Sequence, residues 1–155
     1  MSDQHCNADG IALIKRYEGL RLEAYLDIAG VPTIGYGHVR DVKLGQRLRD
    51  EAHADELLAE DILDAEAGVN RKIDTALTDN EFSALVSMVF NLGAETALGA
   101  NSSIPQKVRN GDKVGVAATI KKYVFATVNG KKVKVQGLIN RRTDEAALFL
   151  KQETS

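Results

Sequence analysis

Residues 17–38 read YEGLRLEAYLDIAGVPTIGYGH. Within this segment, two carboxylates and a hydroxyl, those of Glu18, Asp27 and Thr33, lie within sixteen residues. Glu18 stands where a first helix should end, because Gly19 follows it and glycine is common just past a helix C-terminus. The negative end of the helix dipole disfavours an ionised side chain there. A purely structural role therefore does not account for a glutamate at this position.

Asp27 and Thr33 flank a turn between two predicted strands. Residues 21–26 alternate between two faces, which is typical of a strand. Residues 33–39 form a second strand, or two short ones, and Pro32 places its start at a sheet edge because proline cannot donate to a ladder. We expect a small antiparallel sheet confined to the N-terminal third of the chain.

The rest of the chain is predicted to be mostly helical. Apolar periodicity and end signals predict helices over residues of about 9–18, 50–71, 78–92, 101–109, 112–126 and 137–151. Asp9 is expected to cap the first of these helices, and Thr78 with Glu81 forms a capping-box pattern. Residues 128–136 hold Asn-Gly between valine-rich flanks, which predicts a hairpin or an exposed loop.

The charge of the chain is unevenly distributed, although the net charge is only −2. Residues 50–66 contain eight acidic residues and no Lys or Arg, whereas residues 105–142 contain ten basic residues and one acidic residue. The basic segment is either a solvated surface or a surface that meets an anionic polymer, such as the bacterial envelope. No nucleic-acid-binding motif is present, so we expect no nucleic-acid partner.

Several classes of protein are disfavoured by the sequence. Cys6 is the single cysteine, so no intrachain disulfide forms, and the three histidines lack metal-ligand spacing. We expect no metal and no cofactor, since phosphate-binding glycine loops are also missing. The polar N-terminus does not resemble a signal peptide, and no apolar run reaches the roughly 18 residues of a membrane span. We therefore expect synthesis and retention in the cytoplasm.

The joint pattern of Glu18, Asp27 and Thr33 indicates glycosidic bond cleavage. Such chemistry needs one protonated carboxyl, one ionised carboxyl and a group that holds a water molecule. An isolated Asp in a turn or an isolated Thr in a strand would be unremarkable. The three together, with this spacing, make the case.

The pattern Glu18-x8-Asp27-x5-Thr33, followed by IGYGH, resembles the active-site segment of the phage-type lysozymes, glycoside hydrolase family 24. Weaker matches to the same family follow in order along the chain, at residues 90–93, 101–103 and 137–142. The resemblance implies an α+β, lysozyme-like fold: a sheet lobe, a helical lobe, a long connecting helix, and a cleft between the lobes. Residues 1–155 would form one domain, with the sheet lobe at about 19–50, the connecting helix at 50–71, and the helical lobe at 72–155 together with the first helix, 9–18.

The resemblance also implies a muramidase that hydrolyses the β-1,4 bond between N-acetylmuramic acid and N-acetylglucosamine in peptidoglycan. Glu18 would protonate the leaving oxygen, while Asp27 and Thr33 would orient the attacking water. That mechanism inverts the anomeric configuration, which predicts a Glu18–Asp27 carboxyl separation of roughly 6.5–9.5 Å. The enzyme would be a monomer, stored in the host cytoplasm and admitted to the wall by a holin-type protein to release phage progeny.

Further site residues are expected around this centre. Asn91, Tyr36 and Arg141 are assigned to substrate binding by the resemblance. His38 and Asp61 are expected to pair and to tie the hairpin to the long helix as structural support. A basic side chain is also expected beside Glu18, and the sequence leaves three candidates open: Arg141, Arg142 and Lys132.

Three alternatives to an endolysin remain open at this point. One is an antibacterial effector muramidase with the same chemistry. Another is a lytic transglycosylase, against which the Asp27–Thr33 pair argues because that reaction needs no positioned water. The last is a catalytically silent, glycan-binding protein of the lysozyme fold.

Overall fold

The computed structural model describes residues 4–152. The first helix, α1 (Ala8–Glu18), ends at Glu18 as predicted, and Gly19 follows with a φ of 71°. Its N-terminal cap is Asn7, whose side chain accepts a hydrogen bond from the Gly10 amide. The prediction that Asp9 is the cap was wrong, because hydrogen bonds to Asn80 and Ser83 hold Asn7 in the capping position.

The N-terminal sheet is a two-stranded antiparallel ribbon of β1 (Arg21–Leu26) and β2 (Pro32–Gly35). Its register pairs Tyr25 with Thr33 and Leu26 with Pro32, so the intervening turn is residues 27–31. Beyond β2, a single bridge joins Ile34 to His38 in place of a regular third strand. The ribbon thus presents Asp27 and Thr33 at one end and the Gly37 turn at the other.

The long connecting helix, α2 (Glu51–Lys72), follows the sheet lobe as predicted. Asp50 caps it by accepting a hydrogen bond from the His53 amide, and basic residues occupy its last turn. Both features are favourable for the helix dipole. Its buried stripe includes Ala54, Leu58, Ile62 and Val69.

The helix α3 (Asp79–Leu92) is the centre of the helical lobe. The predicted capping box is present, with Thr78 and Glu81 exchanging side-chain and backbone hydrogen bonds. All ten residues from Asn80 to Val89 are buried, because α1, α2 and the last helix, Gln136–Leu150, pack around this helix. A helix that is buried on every side is a core element.

The remaining elements complete the helical lobe: α4 (Ala94–Leu98), α5 (Ile104–Arg109), α6 (Lys113–Ile120), β3 (Phe125–Val128), β4 (Lys131–Lys134) and α7 (Gln136–Leu150). The helix predicted over residues 112–126 corresponds to α6, which ends at Ile120. Its predicted extension to Ala126 was wrong, because residues 125–128 pair with β4 instead. The sheet is therefore not confined to the N-terminal third. The short helix α4 was not anticipated.

Candidate active site

Glu18, the last residue of α1, packs directly against the Gly37 turn. A methyl group placed at Gly37 would lie 2.3 Å from Glu18 Oε1, and the backbone there has a φ of +72°. Only glycine satisfies both requirements. The close approach fixes the Glu18 carboxylate between the sheet lobe and the helical lobe, and its side chain is only 19% exposed.

Arg141 from α7 is the basic side chain beside Glu18. Its Nη1 donates to Glu18 Oε2 at 2.6 Å, and its Nη2 donates to the Ser87 carbonyl at 3.2 Å. The structure thus selects Arg141 from the three candidates. Arg142 points elsewhere, and Lys132 lies on the exposed β4 strand.

A fully buried carboxylate, that of Glu145, holds the two neighbouring arginines. Glu145 Oε2 accepts from Arg141 Nε at 3.3 Å and from Ser87 Oγ at 2.6 Å, while Oε1 accepts from Arg142 Nη1. Burial lowers the pKa of the Arg142 guanidinium, and the charge of Glu145 opposes that effect. This buried hydrogen-bond network therefore fixes the position of the Arg141 guanidinium, and Arg141 in turn fixes the Glu18 carboxylate.

Asn91, at the end of α3, joins the same network. Its Oδ1 accepts a hydrogen bond from Arg142 Nη2, while Arg142 Nε donates to the Tyr123 carbonyl at 3.0 Å. The residue remains exposed. Its exposed position allows contact with a ligand, although its Oδ1 atom already accepts a hydrogen bond from Arg142.

Asp27 and Thr33 meet around Val31 in the turn between β1 and β2. Asp27 Oδ1 accepts from the amides of Ala29 and Val31, each at 2.9 Å. The Thr33 hydroxyl donates to the Val31 carbonyl at 2.9 Å. Among residues 4–152, Asp27 Oδ2 has no hydrogen-bond partner, so one carboxylate oxygen is left for a water molecule.

A groove of about 350 Å³ runs between the Gly37 turn, α2 and the end of α3. Gly37 is therefore shared between the groove and the Glu18 contact. The lining combines charged side chains with small residues: Arg40, Asp61, Asp64, Gly68, Arg71, Phe90 and Gly93 are among them. An open groove lined by charged side chains suits a polar polymer more than an apolar ligand.

His38 and Asp61 form the expected pair between the hairpin and α2. His38 Nδ1 lies 2.8 Å from Asp61 Oδ2, and the two side chains are 7% and 18% exposed. The contact joins the segment after Gly37 to the long helix. It therefore stabilises the wall of the groove.

Tyr36 lies in the core, which leaves its predicted role in substrate binding without support. Its side chain is 6% exposed, and its hydroxyl donates to Glu51 Oε1 at 2.9 Å. Burial and the Glu51 carboxylate raise the pKa of Tyr36 to about 12. The ring anchors the hairpin to the start of α2.

Three contributors to the site, Gly37, Ser87 and Glu145, were not identified as such from the sequence. The spacing of Glu145, three and four residues after the two arginines, was a usable signal because such pairs share a helix face. Ser87 carried no local signal, since a small polar residue within a helix is common. Position 37 requires glycine because Glu18 of the first helix packs against it, and this contact is not visible in the local sequence.

Two features are absent from residues 4–152. No cluster of three or more His, Cys, Asp or Glu side chains in this part of the chain has the arrangement of a metal site. No helix among the same residues combines the length and apolar character needed to cross a bilayer.

The protein has a sheet lobe and a helical lobe joined by a long helix. A glutamate that is hydrogen-bonded to an arginine lies where the two lobes meet. This arrangement defines a lysozyme-type glycoside hydrolase. The chain belongs to the phage lysozyme family, whose sequence model matches residues 15–145. Members of this class act on the peptidoglycan of bacterial cell walls.

Individual relatives agree with this assignment. The chain is 43% identical to the endolysin of Acyrthosiphon pisum secondary endosymbiont phage 1, over 94% of this chain and 97% of the relative. The structure is similar to an endolysin from Escherichia coli O157:H7 phage FAHEc1, with a TM-score of 0.89, 41% identity, and coverage of 96% and 95%. It is also similar to the muramidase domain of SpmX from Asticaccaulis excentricus, with a TM-score of 0.87, 37% identity, and coverage of 96% and 99%.

Proposed function

We propose that the protein is an endolysin that hydrolyses the β-1,4 bond between N-acetylmuramic acid and N-acetylglucosamine, with Glu18 as the general acid. The observation that carries this proposal is the placement of Glu18. A half-buried carboxyl at a helix C-terminus stands against the backbone of Gly37, and Gly37 also lines the open groove. A glycan strand lying in that groove would bring a glycosidic oxygen to this carboxyl.

In the proposed reaction, the protonated Glu18 carboxyl donates its proton to the leaving oxygen as the glycosidic bond breaks. The 2.6 Å bond from Arg141 holds the carboxyl in one orientation, and the cation then stabilises the carboxylate that the proton transfer leaves behind. Arg141 is therefore a positioning residue in this proposal.

Asp27 and Thr33 are proposed to hold the attacking water on the opposite face of the sugar. The free Oδ2 of Asp27 would accept a hydrogen bond from the water and take that proton as the water oxygen attacks the anomeric carbon. The Thr33 hydroxyl donates to the Val31 carbonyl, and its oxygen would accept a hydrogen bond from the other O–H of the water, which stays on the product. Attack from the face opposite the leaving group inverts the anomeric carbon.

The biological setting is proposed from the family. The enzyme would be made in the host cytoplasm as a monomer, would reach the wall after a holin-type protein opens the inner membrane, and would release phage progeny by lysis. The basic segment 105–142 would contact anionic components of the envelope.

The test is lysis of outer-membrane-permeabilised Gram-negative cells, followed as loss of turbidity. Wild type is expected to lyse them, and folded Glu18→Gln is expected to lose activity by at least a hundredfold. Glu23→Gln is the matched control, because Glu23 lies on β1 with a 64% exposed side chain and a 3.6 Å contact to Arg47. It should lyse at the wild-type rate.

Three outcomes would contradict the proposal. Lysis that survives in Glu18→Gln would place the activity elsewhere on the protein. Products that end in an anhydro sugar instead of a reducing end would identify a lytic transglycosylase. Retained binding to peptidoglycan without turnover by wild type would identify a silent glycan-binding protein.

A further inference from the structure

The segment from Lys121 to Lys134, here called the basic hairpin, carries positive charge that the protein does not neutralise. Its five lysines are exposed, and none lies within 4.0 Å of a carboxylate among residues 4–152: Lys121, Lys122, Lys131, Lys132 and Lys134. Between Asp112 and Asp144 the sequence contains no Asp or Glu. The charge is therefore local and available to an outside partner.

Most lysines outside the basic hairpin are paired with a carboxylate. Four of these six lysines, Lys15, Lys72, Lys113 and Lys151, each contact a carboxylate at 2.6–2.8 Å. Lys43 and Lys107 have no such contact among residues 4–152, but they are isolated from each other in the sequence. The basic hairpin instead groups five unpaired lysines within fourteen residues.

The two strands of the hairpin have unlike faces. Paired residues of an antiparallel ribbon point the same way, and alternate residues point oppositely. One face therefore carries Phe125 and Thr127 with Lys132 and Lys134, and the Lys134 ammonium lies 5.9 Å from the centre of the Phe125 ring. This face is cationic and aromatic.

The other face is apolar along most of its length. It carries Ala126, Val128 and Val133, with Lys131 near the tip. Val128 and Val133 are 42% and 40% exposed, and Phe125 across the ribbon is 50% exposed. Among residues 4–152, the two strands make their contacts chiefly with each other, and these three side chains are left substantially exposed.

From this combination, we infer that the basic hairpin docks on an anionic phospholipid surface. Lysines on a short ribbon would lie at the level of the lipid phosphates, with their stems along the apolar boundary. Phe125 and the two valines would enter the headgroup region, where exposed apolar side chains lose contact with water. A wall polymer would satisfy the lysines but would give the apolar side chains no partner.

This inference narrows the envelope contact proposed above to one surface and one partner. It does not depend on the muramidase assignment, because a phospholipid vesicle contains no glycan. Docking there would hold the enzyme at the inner-membrane side of the wall.

The experiment measures partition of the full chain onto vesicles of phosphatidylcholine with about 30% phosphatidylglycerol, against pure phosphatidylcholine. Wild type is expected to bind the anionic vesicles and to dissociate as salt rises. The triple variant Lys131→Gln/Lys132→Gln/Lys134→Gln should bind about a hundredfold more weakly, since each lysine near such a surface contributes roughly fivefold. Val128→Ser/Val133→Ser should also bind several-fold more weakly.

A charge-matched control distinguishes local docking from net charge. Lys43→Gln/Arg47→Gln/Arg49→Gln removes the same charge from exposed positions outside the hairpin and should bind nearly as wild type does. Because the chain has no Trp, Phe125→Trp supplies a single indole as a reporter. Its emission should shift to shorter wavelength on anionic vesicles and stay unchanged with purified sacculi.

Failure of wild type to bind anionic vesicles overturns the inference, as does an equal loss in the charge-matched control. If the triple variant keeps vesicle binding and loses binding to sacculi, the partner is a wall polymer and the inference is wrong. Retained hydrolysis of soluble peptidoglycan fragments by each variant would show that it is folded and that the muramidase proposal stands independently.

Discussion

The Glu18 carboxylate at the end of the first helix accepts a 2.6 Å hydrogen bond from Arg141 on the last helix. The two residues are 123 positions apart in the sequence. The proposed general acid is therefore positioned by the C-terminal helix, and that helix depends in turn on the buried Glu145. The stability of the fold and the geometry of the site are linked through this contact.

Glu145→Gln is expected to destabilise the protein strongly and to reduce the activity of the folded fraction. Glu145 is fully buried between two guanidinium groups, and removing one charge of such a cluster costs about 3–5 kcal/mol. For a protein of this size, the midpoint of thermal unfolding should fall by on the order of 10 °C. Urea unfolding gives the free energy, and initial lysis rates below the transition give the activity.

The matched control is Glu56→Gln. Glu56 also contacts an arginine, Arg49, but at 3.6 Å and with both side chains 69% exposed. Its loss should change the free energy of unfolding by less than about 1 kcal/mol. If both substitutions changed the free energy of unfolding equally, the buried network would contribute no more stability than an exposed ion pair.

Gly37→Ala is expected to lower kcat by about a hundredfold, because displacement of a catalytic group by an ångström costs that much. The new methyl group would lie 2.3 Å from Glu18 Oε1, so the carboxylate must move. Gly111→Ala is the control, because the φ of Gly111, +71°, matches the +72° of Gly37. A methyl group placed at Gly111 would have no atom within 4 Å apart from those of its chain neighbours. Both variants should lose similar stability, and only Gly37→Ala should lose activity.

The parts of the fold that depend on local signals were predicted from the sequence. The second and third helices were found because Asp50 and Thr78 cap them and apolar stripes follow. Glu18, Asp27 and Thr33 were identified as candidate site residues because they are close together in the sequence and have a specific spacing. Helix ends and turns depend on neighbouring residues, so the sequence predicts them directly.

The remaining features depend on contacts between distant segments. The helix predicted over residues 112–126 stops early, because the Val124 carbonyl accepts a hydrogen bond from the Val135 amide and the residues that follow pair in a hairpin. The selection of Arg141 over Arg142 likewise depends on which face of the last helix meets Ser87 and Glu145. Pairwise contacts of this kind cannot be found from spacing along one element.

The pair of His38 and Asp61 is expected to stabilise the protein with little effect on kcat. In a double-mutant cycle of His38→Gln and Asp61→Asn, the coupling should be about 1–3 kcal/mol, because both side chains are largely buried. Urea unfolding of the four proteins measures it. Arg40 and Asp64 form the control pair between the same two segments, and their 62% and 64% exposure should limit coupling to below about 1 kcal/mol.

Tyr36→Phe is expected to lower stability in a pH-dependent way. The folded-state pKa of Tyr36, about 12, lies above the ordinary value of 10.0, so its contribution is complete below pH 10 and is lost as pH rises toward 12. The variant should be less stable than wild type by about 1 kcal/mol at pH 8. The difference should shrink above pH 10, as measured by urea unfolding at each pH.

Tyr25→Phe controls for general alkaline effects in that series. The Tyr25 hydroxyl has no hydrogen-bond partner among residues 4–152, and its ring stacks with the Arg21 guanidinium at 4.3 Å. It therefore reports the change in stability that loss of a tyrosine hydroxyl without a hydrogen bond produces at each pH. A difference for Tyr36→Phe that stays constant above pH 10 would show that burial and the Glu51 bond do not hold the Tyr36 phenol neutral.

The stereochemistry of the product tests the roles proposed for Asp27 and Thr33. If they hold a water on the face opposite the leaving group, the first product formed has the α configuration at the new reducing end. Proton NMR of a soluble peptidoglycan oligosaccharide, recorded before mutarotation, distinguishes this anomer from the β anomer. Asp27→Asn and Thr33→Ala should both slow its formation, whereas Thr127→Ala, on the exposed hairpin, should not. An initial β product would mean that a covalent intermediate forms and that Asp27 is the nucleophile, with a carboxyl separation near 5 Å instead of roughly 6.5–9.5 Å.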